Sequence, residues 1–154
     1  MFGKLNQQEI EALLANNILG RIGCNDGKQT YIVPISYAYY NNCIYCHSKE
    51  GLKVDIMRKN PAVCFQVDEI TNMANWKSVI SWGKFSEITG KAERIEAIRH
   101  LANRTLPMMS SETTHLFPQW PFEPEDLNEL KGIIFKIETE KKTGRFEKYD
   151  KYML

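Results

Sequence analysis

The chain has 154 residues, enough for one domain with a core of its own. Its 20 Lys and Arg against 19 Asp and Glu leave a formal net charge of +1, which excludes the basic footprint of a nucleic-acid or anionic-membrane binder. No apolar run approaches bilayer length, and Met1-Phe2-Gly3-Lys4-Leu5-Asn6 lacks a signal peptide's apolar centre, so a soluble, cytoplasmic protein is expected.

Asn6-Gln7-Gln8-Glu9 has the spacing of a helix N-cap with its reciprocal acidic partner. Ile10, Leu13, Leu14 and Ile18 then recur at helical spacing, and Gly20 ends the segment. Residues 20–24 predict a short strand, and Asp26-Gly27 a tight hairpin turn. Residues 31–40 form a long β-rich run interrupted by Pro34, which Asn41-Asn42 turns back into a strand over 43–48. Gly51 opens a short helix that Asn60-Pro61 stops, because proline disfavours helical geometry in the residue before it.

Residues 62–68 predict another strand and 77–89 a longer one, with Gly83 as its point of bending. A second amphipathic helix from Lys91 to about Arg104 carries Ile95, Ile98, Leu101 and Ala102 on one face, and Pro107 ends it. Residues 110–124 are irregular and aromatic, holding His115, Phe117, Trp120 and Phe122. A helical turn over 125–130 and a hairpin of 132–138 with 143–149 close the chain. About seven strands, several joined as hairpins, predict a mainly β, α+β fold: an antiparallel barrel with peripheral helices. No β–α alternation and no G-x-G-x-x-G is present, which disfavours a Rossmann domain.

Cys43 and Cys46 form a C-x-x-C, but residues three apart on a strand point to opposite faces, so the thiols diverge. No second pair completes a metal set. Cys24 and Cys64 read as small core residues, and all four cysteines as reduced.

Tyr45-Cys46-His47-Ser48-Lys49-Glu50-Gly51-Leu52-Lys53 carries the most chemistry. A strand end feeding a helix N-terminus is a ready anion site, since the first helical amides lack intrahelical partners. A hydroxyl, an imidazole and an ammonium group join it here, a set suited to a phosphorylated cofactor; a strand–turn–helix junction with a lysine is also a common structural element. Pro34 has no amide hydrogen and belongs at an edge or bulge, where neighbouring backbone groups face a ligand or simply solvent.

Gly20-Arg21-Ile22-Gly23, Tyr31-Ile32-Val33-Pro34-Ile35-Ser36-Tyr37, Ile44-Tyr45-Cys46-His47-Ser48, Gly51-x-Lys53 and Asn60-Pro61-x-Val63-Cys64-Phe65 follow one another in a distinctive order. Ser78-Val79-Ile80-x-x-Gly83 and Thr143-Gly144-Arg145 extend it. This order resembles the flavin-binding split barrels related to pyridoxamine 5′-phosphate oxidase, nearest their nitroimidazole-resistance (Nim-type) branch. The resemblance implies one split-barrel domain over 1–154, acting as a homodimer with FMN, or FAD, in two equivalent clefts between subunits. It places the backbone of Val33, Pro34, Ile35 and Ser36 along the isoalloxazine, and gives the phosphate to His47, Ser48, Lys53 and the amides of the Gly51 helix.

The other cleft wall, from the second subunit, has Trp76, Ser78 and Trp82 as candidates, with His115 and Trp120. His47 is the catalytic candidate by resemblance, as phosphate contact, flavin neighbour or proton carrier; its strand parity opposes that of Ser48. Arg21 is either a cofactor contact or a structural ion pair.

The implied activity is that of a flavin-dependent oxidoreductase passing electrons from a reduced nicotinamide or other donor to a small-molecule acceptor, with no metal. The alternative is a non-catalytic flavin-binding or sensing protein, since this fold hosts several cofactors. Pyridoxamine-phosphate oxidation itself is disfavoured by the C-terminus Lys148-Tyr149-Asp150-Lys151-Tyr152-Met153-Leu154, which lacks that oxidase's Arg-rich signature; Arg104-Thr105-Leu106-Pro107 resembles it only in mid-chain. A Ser-His-Asp hydrolase is disfavoured because no serine has a G-x-S-x-G context.

Overall fold

The computed structural model describes residues 1–105 and 130–149. Helix α1 (Gln7–Asn16) starts at the cap that the sequence predicts: Asn6 Oδ1 accepts from the Glu9 amide at 2.9 Å, and Glu9 Oε2 accepts from the Asn6 amide at 2.8 Å. It follows a short strand, β1 (Phe2–Lys4), that sequence reading did not pick out. Strands β2 (Leu19–Asn25) and β3 (Thr30–Ser36) form the first hairpin, with Gly27 in its turn at φ 91°. Strands β4 (Ala38–Tyr40) and β5 (Cys43–Ser48) form the second, and Asn41 and Asn42 both adopt positive φ, as a tight hairpin turn requires.

Helix α2 (Leu52–Lys59), strands β6 (Ala62–Asn72) and β7 (Asn75–Glu87), helix α3 (Lys91–Ala102) and strand β8 (Ile133–Glu147) complete the order. All strands pair antiparallel in one sheet, β3-β2-β6-β7-β8-β5-β4, with β1 added to β8. The sheet curls without closing: β3 and β4 are its two ends, and β3 approaches β5 without pairing. This is an α+β split barrel.

Three sequence expectations are corrected. The closing hairpin over 132–149 is instead one long strand, β8. Its polar middle, Lys141-Lys142-Thr143, reads as a turn, but Lys142 is held inside the strand by Glu11, by the Tyr39 hydroxyl at 2.9 Å and by Asn42 Oδ1 at 2.6 Å. The run over 31–40 does break, but at Tyr37; β3 pairs with β2 straight through Pro34, which an edge strand tolerates. Cys24 is in the core, whereas Cys64 faces outward from β6 and is only half-buried. The segment holding His115, Phe117, Trp120 and Phe122 lies outside the described residues, as does most of the expected turn over 125–130.

Two apolar clusters hold the layers together. One fills the barrel, with Leu14, Ile22, Ile44, Phe65, Val79 and Phe135 among its members. Tyr37 is wholly buried there; its hydroxyl donates to the Leu14 carbonyl at 2.7 Å and its ring meets Phe65 edge-on at 5.0 Å. The second cluster seats Ala97, Ile98 and Leu101 of α3 against Ala38 and Ile134 on the outside of the sheet.

Gly83 sits where the β7–β8 register shifts, the bending point that the sequence predicts. A Cβ there would run into the Glu138 carbonyl oxygen of β8, a backbone atom held by the ladder. Gly83→Ala is therefore expected to lower stability by about 2–3 kcal/mol, read as a fall in the urea midpoint at unchanged slope.

Candidate cofactor-binding site

Strand β5 delivers its side chains alternately to two sides of the sheet. Ile44 and Cys46 enter the barrel core, and Ser48 shares their parity. Tyr45 and His47 take the other side; Tyr45 stacks on His100 of α3 with 5.2 Å between ring centroids. His47 is 8% exposed, and its Nε2 lies 2.7 Å from the Lys131 carbonyl oxygen. Ser48 is 2% exposed and donates its hydroxyl proton to the Lys49 carbonyl at 2.8 Å, which leaves its oxygen lone pairs as acceptors.

Beyond Ser48 the chain turns into α2. Gly51 is extended at φ 167°, supplies no side-chain cap, and a Cβ on it would meet nothing within 4 Å. The Asp55 amide makes the first helical bond, to the Gly51 carbonyl, so the amides of Leu52, Lys53 and Val54 precede any intrahelical acceptor. Lys53 is half-buried on this first turn. Its ammonium is a minor influence that lowers both the Cys24 thiol of β2 and the Cys46 thiol of β5. Burial nonetheless dominates both thiols: it raises Cys24 and pushes Cys46 up to about 12.

A buried hydroxyl, a run of helical amides and an ammonium group thus follow one another from the end of β5 into the first turn of α2. The amides and the ammonium are the donors that anion binding needs, and a phosphate monoester fits them. The Val33–Ser36 stretch forms the β3 side of the gap between β3 and β5, with Ile35 buried in the core, Val33 and Ser36 half-buried and Pro34 exposed.

His47 belongs to the opposite sheet face from Ser48, so the parity conflict read in the sequence persists in the structure. Trp76 and Ser78 stand on the outer face of β7, two strands from β5 in the sheet. The Trp76 indole donates to Glu147 Oε2 at 2.9 Å, and Ser78 accepts from Gln66 Nε2 at 3.1 Å. Arg21 meets Asp68 at 3.2 Å in an ion pair on this same outer face, which satisfies its structural alternative. Arg104 closes the end of α3, with its Nε donating to the Leu101 carbonyl at 2.8 Å.

The outer face also carries an apolar row read directly from strand register: Ile32, Gly23, Cys64 and Trp82 stand side by side on β3, β2, β6 and β7. Gly23 makes room for its neighbour, since a Cβ there would sit 2.7 Å from the Cys64 sulfur. Ile32 is 66% and Trp82 40% exposed around a shallow hollow of about 380 Å³, and the Lys141 ammonium lies 5.2 Å from the Trp82 ring centre. Sequence reading missed this row because it depends on the pairing of four strands. It also missed Lys131, Gly132 and Arg94 around His47; a lone glycine before a strand was the one available signal. Among the described residues no group of three or more His, Cys, Asp or Glu is placed to hold a metal, and no helix is long and apolar enough to cross a membrane.

The profile of the pyridoxamine 5′-phosphate oxidase family matches residues 6–145. The chain belongs to that family. It is 33% identical over 153 residues to an uncharacterized protein of Rhizobium meliloti (strain 1021), covering 92% of each chain. The crystal structure of a FAD-binding protein from Mesorhizobium loti superposes with a TM-score of 0.74 at 31% identity, over 96% of this chain and 99% of that one. A Bacteroides thetaiotaomicron protein named for 5-nitroimidazole antibiotic resistance shares the fold, with a TM-score of 0.66 at 19% identity over 95% of this chain and 87% of that one.

Within this family member, Cys43 and Cys46 are free thiols on opposite sides of β5, and burial raises both above the ordinary cysteine range. Replacing both with serine is expected to leave flavin binding and any redox turnover within about twofold of the parent, measured by flavin titration and donor oxidation. Loss of turnover with normal folding and flavin content would make the pair a redox dithiol.

Proposed function

We propose that this protein is a flavin-dependent oxidoreductase that binds FMN in the gap between β3 and β5 and works as a homodimer. The opening amides of α2, which have no intrahelical acceptor, with Lys53 on the same first turn directly after the end of β5, carry the reading. The α2 amides donate to the phosphate oxygens and Lys53 adds the neutralising charge, while Ser48 joins them by turning its hydroxyl away from the Lys49 carbonyl. The unpaired edge of β3 at Val33–Ser36 offers backbone groups to the polar rim of the isoalloxazine. When bound, the flavin supplies the electron transfer, from a reduced nicotinamide to a small-molecule acceptor; the protein orients it and shields it from water. A gap open at its phosphate end admits FAD as well as FMN, and the FAD-binding relative from Mesorhizobium loti supports keeping both.

The homodimer completes the site. The exposed row of Ile32, Cys64 and Trp82 is the apolar surface a second copy would cover, in line with the rule that contiguous exposed apolar patches mark interfaces. In that arrangement Trp76 and Ser78 face the partner's gap rather than their own, which accounts for their distance from Ser48 and Lys53 within one chain.

Two measurements test this. Titrated with FMN, the parent should quench flavin fluorescence stoichiometrically, and Lys53→Ala should weaken binding by about tenfold or more, the scale of one lost charge-assisted hydrogen bond. Failure of the folded parent to bind either FMN or FAD would end the proposal, and binding without multiple turnovers of a nicotinamide donor would make this a flavin-binding or sensing protein. In sedimentation equilibrium the parent should be a dimer, and Trp82→Glu should shift it to monomer and weaken flavin affinity in step. A monomeric parent that binds flavin fully would remove the shared cleft.

A further inference from the structure

Gly51 leaves α2 without a side-chain cap, and the residue before it is acidic. A carboxylate beside a helix N-terminus is drawn onto the open amides, which lack intrahelical acceptors and carry the positive end of the helix dipole. Glu50 is such a carboxylate, yet it does not cap α2. Both of its oxygens go to one guanidinium: Arg58 donates from Nη1 to Oε2 at 2.7 Å and from Nη2 to Oε1 at 2.9 Å.

Arg58 lies near the other end of α2, and its remaining donor ties it to the sheet. Its Nε donates to Oε1 of Glu87, at the end of β7, where Glu87 stands opposite Phe135 in the ladder with β8. The sheet thus fixes the guanidinium, and the guanidinium fixes Glu50. The same fork holds the Glu50 carboxyl below the usual carboxylate range, so it is charged at neutral pH and a rival to any anion at α2. Lys53, across Gly51-Leu52 from Glu50, makes no ion pair among the described residues, so its charge also stands open to an anion.

We infer that Arg58 is a positioning residue: it holds Glu50 off the opening turn of α2, so that the amides of Leu52, Lys53 and Val54 and the Lys53 ammonium stay open to a cofactor phosphate. The identity of that anion rests on the flavin reading above; the fate of Glu50 rests on the Arg58 contacts alone. Arg58 acts through Glu50 and not on the phosphate. Without it, the chain's own carboxylate occupies the place of the ligand.

Arg58→Met keeps the apolar stem and deletes the fork. Arg58 and Glu50 are both exposed, and an exposed ion pair contributes little to stability, so the variant keeps the parent's fold. In the flavin-free full chain, proton–nitrogen correlation spectra should show the Leu52 and Lys53 amide protons moving downfield in Arg58→Met, as a carboxylate accepts from them. Adding Glu50→Ala to that variant should return them. FMN should bind Arg58→Met about tenfold more weakly, the scale of a competing charge-assisted hydrogen bond. Glu50→Ala alone should bind it no more weakly than the parent, and the double variant should recover most of the loss. Arg58→Lys, which keeps the charge but not the fork, should give the same pattern at smaller amplitude.

An ion pair that merely orders the loop predicts the opposite: Glu50→Ala weakens FMN as much as Arg58→Met, and the double variant recovers nothing. That pattern, or unmoved Leu52 and Lys53 amides in folded Arg58→Met, overturns the inference. If the parent binds neither FMN nor FAD while the amide shifts appear and reverse, the flavin reading falls and the retention of Glu50 by Arg58 stands.

Discussion

The long ladder between β7 and β8 is the constraint on which the other parts of this structure depend. Strand β8 gives one edge to β7 along most of its length, while its other edge carries β5 in its first half and β1 at its end. The position of β5, and with it Ser48 and the entry to α2, is set by that pairing. The ladder absorbs one register shift at Gly83, where the strands approach too closely for any side chain. The shift lets a single strand of 15 residues bend around the barrel instead of stopping.

Curvature without closure follows, and the candidate site needs it. A fully closed barrel would pair β3 with β5 and consume the backbone groups between them. Here β3 remains an edge, Pro34 removes a donor from it, and β5 approaches it without pairing. The interior beneath is dry and tightly packed, which raises the Cys24 and Cys46 thiols and keeps them protonated. Under the proposed reading, a phosphate at the start of α2 meets the Lys53 charge and the fixed dipoles of the helix amides.

The helix layer plays a different part. α3 packs on the outside of β4 and β5, and through Arg94 it reaches the segment that holds His47. The two faces of β5 thus diverge: Ser48 shares the parity of the core residues Ile44 and Cys46, and His47 joins the network under α3.

Much of this was legible in the linear sequence because it is encoded within a few residues. The Asn6–Glu9 cap, the Asp26-Gly27 and Asn41-Asn42 turns, the Asn60-Pro61 stop and the Ser48…Lys53 junction each need only local chemistry, and the strand-and-turn order implied the barrel. Misreadings arose where long-range contacts overrode local signals. Lys141-Lys142-Thr143 has turn-like polarity, yet Glu11, Tyr39 and Asn42 satisfy Lys142 and carry β8 straight through. Cys64 looks like a core residue until the register with Gly23 and Trp82 turns it outward, and no local pattern tells Arg94 or Gly132 that they meet His47. The sequence by itself determined most of the elements and the strand–turn–helix junction at Ser48–Lys53, since caps, turns and helix amides act over a few residues. Only the tertiary structure decided which sheet face each side chain occupies, because that follows from pairing between strands far apart in the chain.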